Sequence, residues 1–144
     1  MKIESLSQAN IRTYLDYLRA AMAEEPEMMT AERVDEGLIL ENLPSTTSLV
    51  AVEGGQVIGR LEYHFYSCLQ DGCRMAYVNW VYVAKAHRHR GVAQALFREF
   101  EAVCRQNRID QYYLIQARNP GAASFYGAFQ NAESTEQPIL RKNL

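Results

Sequence analysis

Between Ser48 and Val83 the chain has the character of β-strands, and near residue 89 it changes to the period of a helix. No other feature restricts the fold as much. Ser48-Leu49-Val50-Ala51-Val52-Glu53 is one strand, and Gln56 to Tyr66 is its return partner. Gly54-Gly55 joins them as a two-residue hairpin turn in which both residues can take positive φ. A turn at Gln70-Asp71-Gly72 leads into a third strand, Arg74 to Val83, rich in Tyr, Val and Trp. From His89 to Asn107 the apolar residues Val92, Ala95, Leu96, Phe100, Val103 and Cys104 recur on one helical face. Gln111 to Gln116 returns to strand character. An antiparallel meander followed by strand–helix–strand predicts a mixed sheet, with the strands flanking that helix parallel if adjacent.

The ends supply further elements. Ile3 to Leu6 is a short strand, after which Ser7 can cap a helix over 8–23 with the stripe Ile11, Tyr14, Leu15, Leu18 and Met22. Pro26 stops it. A second helix is expected from Thr30 to Leu43, carrying Val34, Leu38 and Leu40. Asn119 can cap a short helix to Phe129, with Pro120 at its first position, where proline fits best. Ile139 to Arg141 is a last strand. The expected order is β-α-α-β-β-β-α-β-α-β. This is an α/β (α+β) fold: a mixed, mostly antiparallel central sheet with helices on both faces, forming one domain over 1–144.

Composition narrows the class. At 144 residues, 48% apolar and 22% charged, the chain is too hydrophobic for disorder and too short for two ordinary cores. Three cysteines are too few for a disulfide scaffold. Cys68 and Cys73 flank a turn and can face each other, while Cys104 lies on a helix's apolar stripe. No apolar run reaches membrane-spanning length and the first residues show no leader pattern, so a cytoplasmic protein is expected. The net charge is −2, distributed as −5 before residue 87 and +3 after it. An acidic chain is a poor nucleic-acid binder, but its basic C-terminal part can serve one small anion. No metal-ligand spacing stands out.

The chemistry concentrates where the third strand meets the long helix, at Arg88-His89-Arg90-Gly91-Val92-Ala93. Backbone N–H groups in a helix's first turn have no intrahelical partner and sit at the positive end of its dipole, a place suited to phosphate. Gly91 and Ala93 keep that turn free of bulk, and Arg88 and Arg90 add charge.

These residues resemble the acyl-CoA signature of the GNAT acyltransferase superfamily, Arg/Gln-x-x-Gly-x-Gly/Ala. The preceding Val81-Tyr82-Val83 and the pair Asn119 and Tyr126, seven residues apart, match the same family. The resemblance implies a fold over nearly the whole chain, with acetyl-CoA as cosubstrate and an amine of a small molecule or protein as acceptor. It implies that the backbone of residues 88–93 cradles the CoA pyrophosphate. Val81 and Val83, with Tyr82 between them, would pair with the pantetheine arm. Asn119 would hold that arm or cap its helix, and Tyr126 would be the general acid protonating the departing thiolate.

Two departures from the family stand out. Many members carry an acid on the strand before the signature, where this chain has Asn79 and Trp80. Glu62 and His64, which share a face of the neighbouring strand, can replace it. A water chain is a second solution. A catalytically silent acyl-CoA-binding regulatory module is a third. The family's Gly-Phe after the tyrosine is replaced by Gln130-Asn131, and the hairpin expected there looks truncated. The acceptor pocket would then be open, or completed by a second copy in a homodimer. Glu24, Glu25 and Glu27, beside Met28-Met29, would suit a cationic acceptor or form a solvated loop. Trp80 and Tyr82 would wall the acceptor or pack beneath the first helices.

Overall fold

The computed structural model describes residues 1–26, 34–117 and 119–142. They form two compact units, Met1–Leu114 and Ile115–Leu144. The first contains β1 (Lys2–Ser5), α1 (Ile11–Glu24), α2 (Glu36–Asn42), β2 (Ser48–Glu53), β3 (Gln56–Cys68), β4 (Cys73–Val83), α3 (Val92–Gln106) and β5 (Gln111–Leu114). Short 3-10 turns occupy Leu43–Ser45 and Lys85–His87. The second unit contains α4 (Pro120–Gly127).

The five strands lie in sequence order; every pairing is antiparallel except β4 with β5, which is parallel. That is the mixed sheet expected from a meander followed by a helical crossover. Gly54 and Gly55 both take positive φ, 58° and 80°, as the hairpin turn requires.

β3 shows how the two faces are used. Successive strand residues point to opposite faces. Arg60 reaches α1, donating to the Tyr14 hydroxyl at 2.6 Å. Gly59 and Tyr63 face α3: a Cβ on Gly59 would lie 3.1 Å from Val92 Cγ1, and the Tyr63 ring packs on Phe100 with centroids 5.1 Å apart. Helices therefore cover both faces. The α1 face is filled by Ile11, Tyr14, Leu15, Tyr17 and Ala21 against Val50, Val57 and Tyr82. On the α3 face, Phe100, Leu61 and Leu96 are fully buried.

Several boundaries differ from expectation. α1 begins at Ile11, not at residue 8, because Asn10 organises the entry. Its Oδ1 accepts from Ser7 N at 2.9 Å and its Nδ2 donates to the Ser5 carbonyl at 3.0 Å. The expected Thr30 start of the second helix lies outside the described residues. The described helix starts at Glu36, where Asp35 accepts from Leu38 N at 3.0 Å, a side-chain cap. β5 ends at Leu114 instead of Gln116.

The last strand, Ile139–Arg141, does not form, and no strand follows β5 among the described residues. Ile139 and Leu140 are exposed. Pro138 removes one ladder donor, and three residues supply too few bonds to offset their ordering. Among the described residues, no helix is long and apolar enough to cross a membrane.

Candidate active site

The connection from β4 to α3 is built around two left-handed residues, His89 at φ 59° and Gly91 at φ 79°. Gly91 is the N-cap of α3 and offers no side chain to its first turn. The first helical bond there runs from Ala95 N to Gly91 O at 3.0 Å. The N–H groups of Val92, Ala93 and Gln94 therefore point outward with no intrahelical acceptor. Two left-handed residues spaced by one bend the chain into a concavity that N–H groups can line, which suits an anion. A Cβ on Gly91 would meet nothing within 4 Å, so the space in front of the turn is open. Val92 is buried and, resting over Gly59, seats the helix start on the sheet.

The two arginines of the signature divide their roles. Arg88 donates from Nε to the Val83 carbonyl at 3.0 Å and from Nη2 to Glu25 Oε1 at 2.9 Å, and lies over the Tyr82 ring. It braces the loop. Arg90, half exposed, donates from Nη2 to both carboxylate oxygens of Glu53, at 3.0 and 3.3 Å, and approaches His87 Nδ1. Such an exposed pair is weak and can exchange for an anionic ligand.

β4 supplies an open edge. Its pairing with β5 runs from Met75↔Gln111 to Val78↔Leu114 and stops. The next residue, Asn79, is a bulge: Glu62 pairs with Trp80 and Tyr63 with Val78. Ala84 N donates to the Ile58 carbonyl on β3 at 3.0 Å. Strand residues alternate the side to which their backbone groups point, so Val83 and Val81 direct theirs away from β3. Tyr82 faces inward instead, its carbonyl accepting from the buried Tyr17 hydroxyl at 2.8 Å.

At the bulge, three residues expected from the sequence come together. Asn79 Nδ2 donates to Glu62 Oε1 at 3.2 Å, and His64 Nε2 lies 3.5 Å from the same oxygen. The other Glu62 oxygen is paired with Arg60. Glu62 thus joins a polar chain from the exposed His64 to Arg60 and Tyr14. Burial raises the Tyr14 phenol above its ordinary value, partly offset by the Arg60 charge. Arg60 and Glu62 line a pocket of about 310 Å³, whose wall is mostly apolar and includes Leu6, Leu18, Leu38 and Ile39.

Asn119 and Tyr126 belong to the second unit and are described within it. Asn119 caps α4, its Oδ1 accepting from Ala122 N at 2.8 Å. Tyr126 packs against Phe125 and Phe129, and burial raises its phenol pKa above the ordinary value.

Sequence reasoning missed Arg60 and Tyr14, although a charged Arg-x-Glu pair inside an apolar strand was a visible signal. It also gave Glu24 and Glu25 to the acceptor or to solvent. Both instead anchor the β4–α3 connection. Glu24 accepts from the Tyr82 hydroxyl at 2.8 Å and from Lys85 N at 3.0 Å, and Glu25 accepts from Arg88. Glu27, Met28 and Met29 lie outside the described residues. Trp80 and Tyr82 pack beneath α1.

A helix with a bare N-terminus that follows the strand beyond its pairing with β5, on a mixed sheet of this order, defines an α/β domain whose geometry suits an anion. Residues 10–130 match the family model described as Acetyltransferase (GNAT) family, and the chain belongs to that family. Solved structures agree in fold. An aminoglycoside acetyltransferase from an uncultured soil metagenomic sample, in complex with sisomicin, is 15% identical with a TM-score of 0.84, covering 99% of this chain and 95% of that one. The ribosomal-protein-alanine N-acetyltransferase of Brucella melitensis biovar Abortus 2308 is 20% identical with a TM-score of 0.78, covering 99% and 100%. An aminoglycoside antibiotic 6'-N-acetyltransferase of Acinetobacter haemolyticus is 19% identical with a TM-score of 0.71, covering 100% and 99%. A comparison with curated proteins gives no match.

Proposed function

We propose that the chain is an acetyl-CoA-dependent N-acetyltransferase that passes the acetyl group directly to a primary amine. The observation that carries this is the outward-facing backbone of Val81 and Val83, which leads into the bare first turn of α3 with Glu62 on the strand beside it. The N–H groups of residues 89–94 bind the pyrophosphate, with Arg90 released from Glu53 to meet it. The edge of β4 holds the pantetheine amides as an added strand would be held. An N–H on this edge close to the thioester carbonyl stabilises the developing negative charge.

Glu62 takes the proton from the incoming ammonium group, directly or through His64. The amine nitrogen then bonds to the acetyl carbon, the carbon–sulfur bond breaks, Tyr126 donates its hydroxyl proton to the sulfur, and the acylated nitrogen loses its second proton to solvent. The products are the acetamide and free CoA, and Tyr126 recovers a proton from solvent. Its raised pKa keeps the phenol protonated at neutral pH until the thiolate forms.

The relatives named above act on aminoglycosides and on a ribosomal protein alanine, so the family accommodates both small-molecule and protein amines. The mostly apolar pocket beside Arg60 and Glu62 favours a small amine with a hydrocarbon portion. Asn79, where the family resemblance implies an acid in many members, favours the second reading of a module that binds acyl-CoA without transfer.

Calorimetric titration with acetyl-CoA, followed by thiol release over a panel of amines, separates the two. Binding with amine-dependent release of CoA that Tyr126→Phe abolishes supports the enzyme. Binding without release from any amine supports the module. Absence of binding to acetyl-CoA, longer acyl-CoAs or CoA overturns both.

A further inference from the structure

The far end of β4 carries a cluster that the acetyl-transfer chemistry does not use. Cys68 and Cys73 are directly opposed, the last pair of the β3–β4 ladder. Opposed residues project to the same face with their Cβ atoms about 5 Å apart. Asp71, in the turn between them, folds back so that Cys68 Sγ donates to its Oδ2 at 3.2 Å. The two sulfurs and a carboxylate oxygen of Asp71 all lie within 4.8 Å of one another. Both cysteines are free and partly exposed.

We infer that this hairpin tip is a binding site for a thiophilic divalent cation of the Zn²⁺ type, held by Cys68 Sγ, Cys73 Sγ and the Asp71 carboxylate. Two thiolates and one carboxylate form a donor set that zinc accepts. A tetrahedral ion with Zn–S bonds of ~2.3 Å needs its sulfurs about 3.8 Å apart. The present spacing reaches this with shifts of about an ångström, which a surface turn permits. Binding replaces the thiol protons, including the one now donated to Asp71, so the carboxylate is released to the metal and two protons leave to solvent.

A second carboxylate favours the cation. Asp110 Oδ2 accepts from Arg74 N at 2.8 Å, and Asp110 N donates to the Arg74 carbonyl at 2.8 Å. Asp110 is thus fixed beside the residue that follows Cys73 and adds negative charge there. The fourth position falls to water. Entry is open, since Asp71 is exposed and both cysteines are only partly buried.

Ten residue steps along β4 separate Cys73 from Val83, about 30 Å at ~3.3 Å per residue. The ion therefore takes no part in the transfer at the other end. It clamps the hairpin next to the start of the β4–β5 pairing, and the inference stands whether or not the protein transfers acetyl groups.

The test uses the reduced, full-length protein with Zn²⁺ alone, in competition with a chromophoric chelator, and with Co²⁺ as a spectroscopic probe. One equivalent should bind with a Kd of about 1 µM or tighter. Co²⁺ should give near-ultraviolet thiolate charge-transfer absorption, and Zn²⁺ should shield two thiols from a thiol reagent. Cys68→Ser with Cys73→Ser should weaken binding about a hundredfold or more, and Asp71→Asn about tenfold, with unchanged circular dichroism. Binding that survives the double serine change overturns the inference. So does reduced protein that takes up no Zn²⁺ yet forms a Cys68–Cys73 disulfide with oxidised glutathione, which would assign the pair to redox chemistry.

Discussion

Asn79 and Glu62 meet where β3 and β4 fall out of step: Asn79 is the extra residue of the bulge, and its Nδ2 donates to Glu62 Oε1 at 3.2 Å. The bulge and the contact have one consequence. Past Asn79 the strand no longer pairs with β5, and the same residue holds a carboxylate beside the edge so exposed. An amide in place of an acid on β4 therefore leaves an acid at the site, moved one strand over. Arg60 pairs with the second oxygen of Glu62 and leaves Oε1 to Asn79 and His64.

Glu62→Gln is accordingly expected to lower kcat by about a hundredfold or more, the usual scale for loss of a general base. Acetyl-CoA affinity should stay unchanged. His64→Gln should cost less, since the imidazole is exposed and acts through Glu62. Steady-state kinetics and calorimetry on both variants check this. A kcat insensitive to Glu62→Gln would remove Glu62 from the reaction.

The bulge was not legible in the sequence. Val78 pairs with Tyr63 on the α3 face, whereas Tyr82 pairs with Arg60 on the α1 face, although four residues apart they should share a side. In Tyr77-Val78-Asn79-Trp80-Val81-Tyr82-Val83 nearly every residue is apolar, so no alternation existed to betray the switch. The meander, the Gly54-Gly55 turn and α3 were legible because each has its own local signature. The N-terminal turn of α3 was legible for the same reason. Contacts between distant segments, such as Glu24 and Glu25 with the β4–α3 connection, have no local signature. The strand expected at Ile139–Arg141 rested on apolar character alone, which does not supply a pairing partner.

Gly91 and Gly72 make a matched pair for testing the anion turn. Each is left-handed, at φ 79° and 66°, and each has open space where a Cβ would stand. Alanine at either should cost about 1 kcal/mol through backbone strain alone. Only Gly91→Ala should weaken acetyl-CoA, about tenfold, because it distorts the N–H groups opening α3. Thermal melts together with calorimetry distinguish the shared effect from the specific one.

Glu24 makes the stability of the connection depend on pH. Burial alone would raise its pKa. The Lys85 N–H and Tyr82 hydroxyl hydrogen bonds, with the Lys85 and Arg88 charges, outweigh that and hold it below the ordinary carboxylate value. A pKa depressed on folding contributes stability that is complete above the unfolded value, about 4.3, and lost as pH falls through the folded one. Wild type should therefore melt above Glu24→Gln near neutrality, with the gap closing on acidification below about pH 4. A gap that stays constant with pH would mean that the carboxylate's charge contributes nothing.

Tyr17 offers the sharpest test of how α1 is fixed to the site strand. Its hydroxyl donates to the Tyr82 carbonyl at 2.8 Å from a buried position, and burial pushes the phenol well above its ordinary pKa, so it stays protonated throughout the working range. Tyr17→Phe keeps the ring, which packs against Tyr14 and Tyr82, and removes only the donor. The expected loss is about 1–2 kcal/mol, the scale for a buried hydrogen bond whose acceptor is left behind. Because Tyr82 lies between Val81 and Val83, loosening its carbonyl also loosens the edge proposed to hold the pantetheine arm. Denaturant melts should then show the stability loss, and calorimetry a few-fold weaker acetyl-CoA. A stability loss with unchanged affinity would show that the Tyr17 bond supports the core without setting the edge.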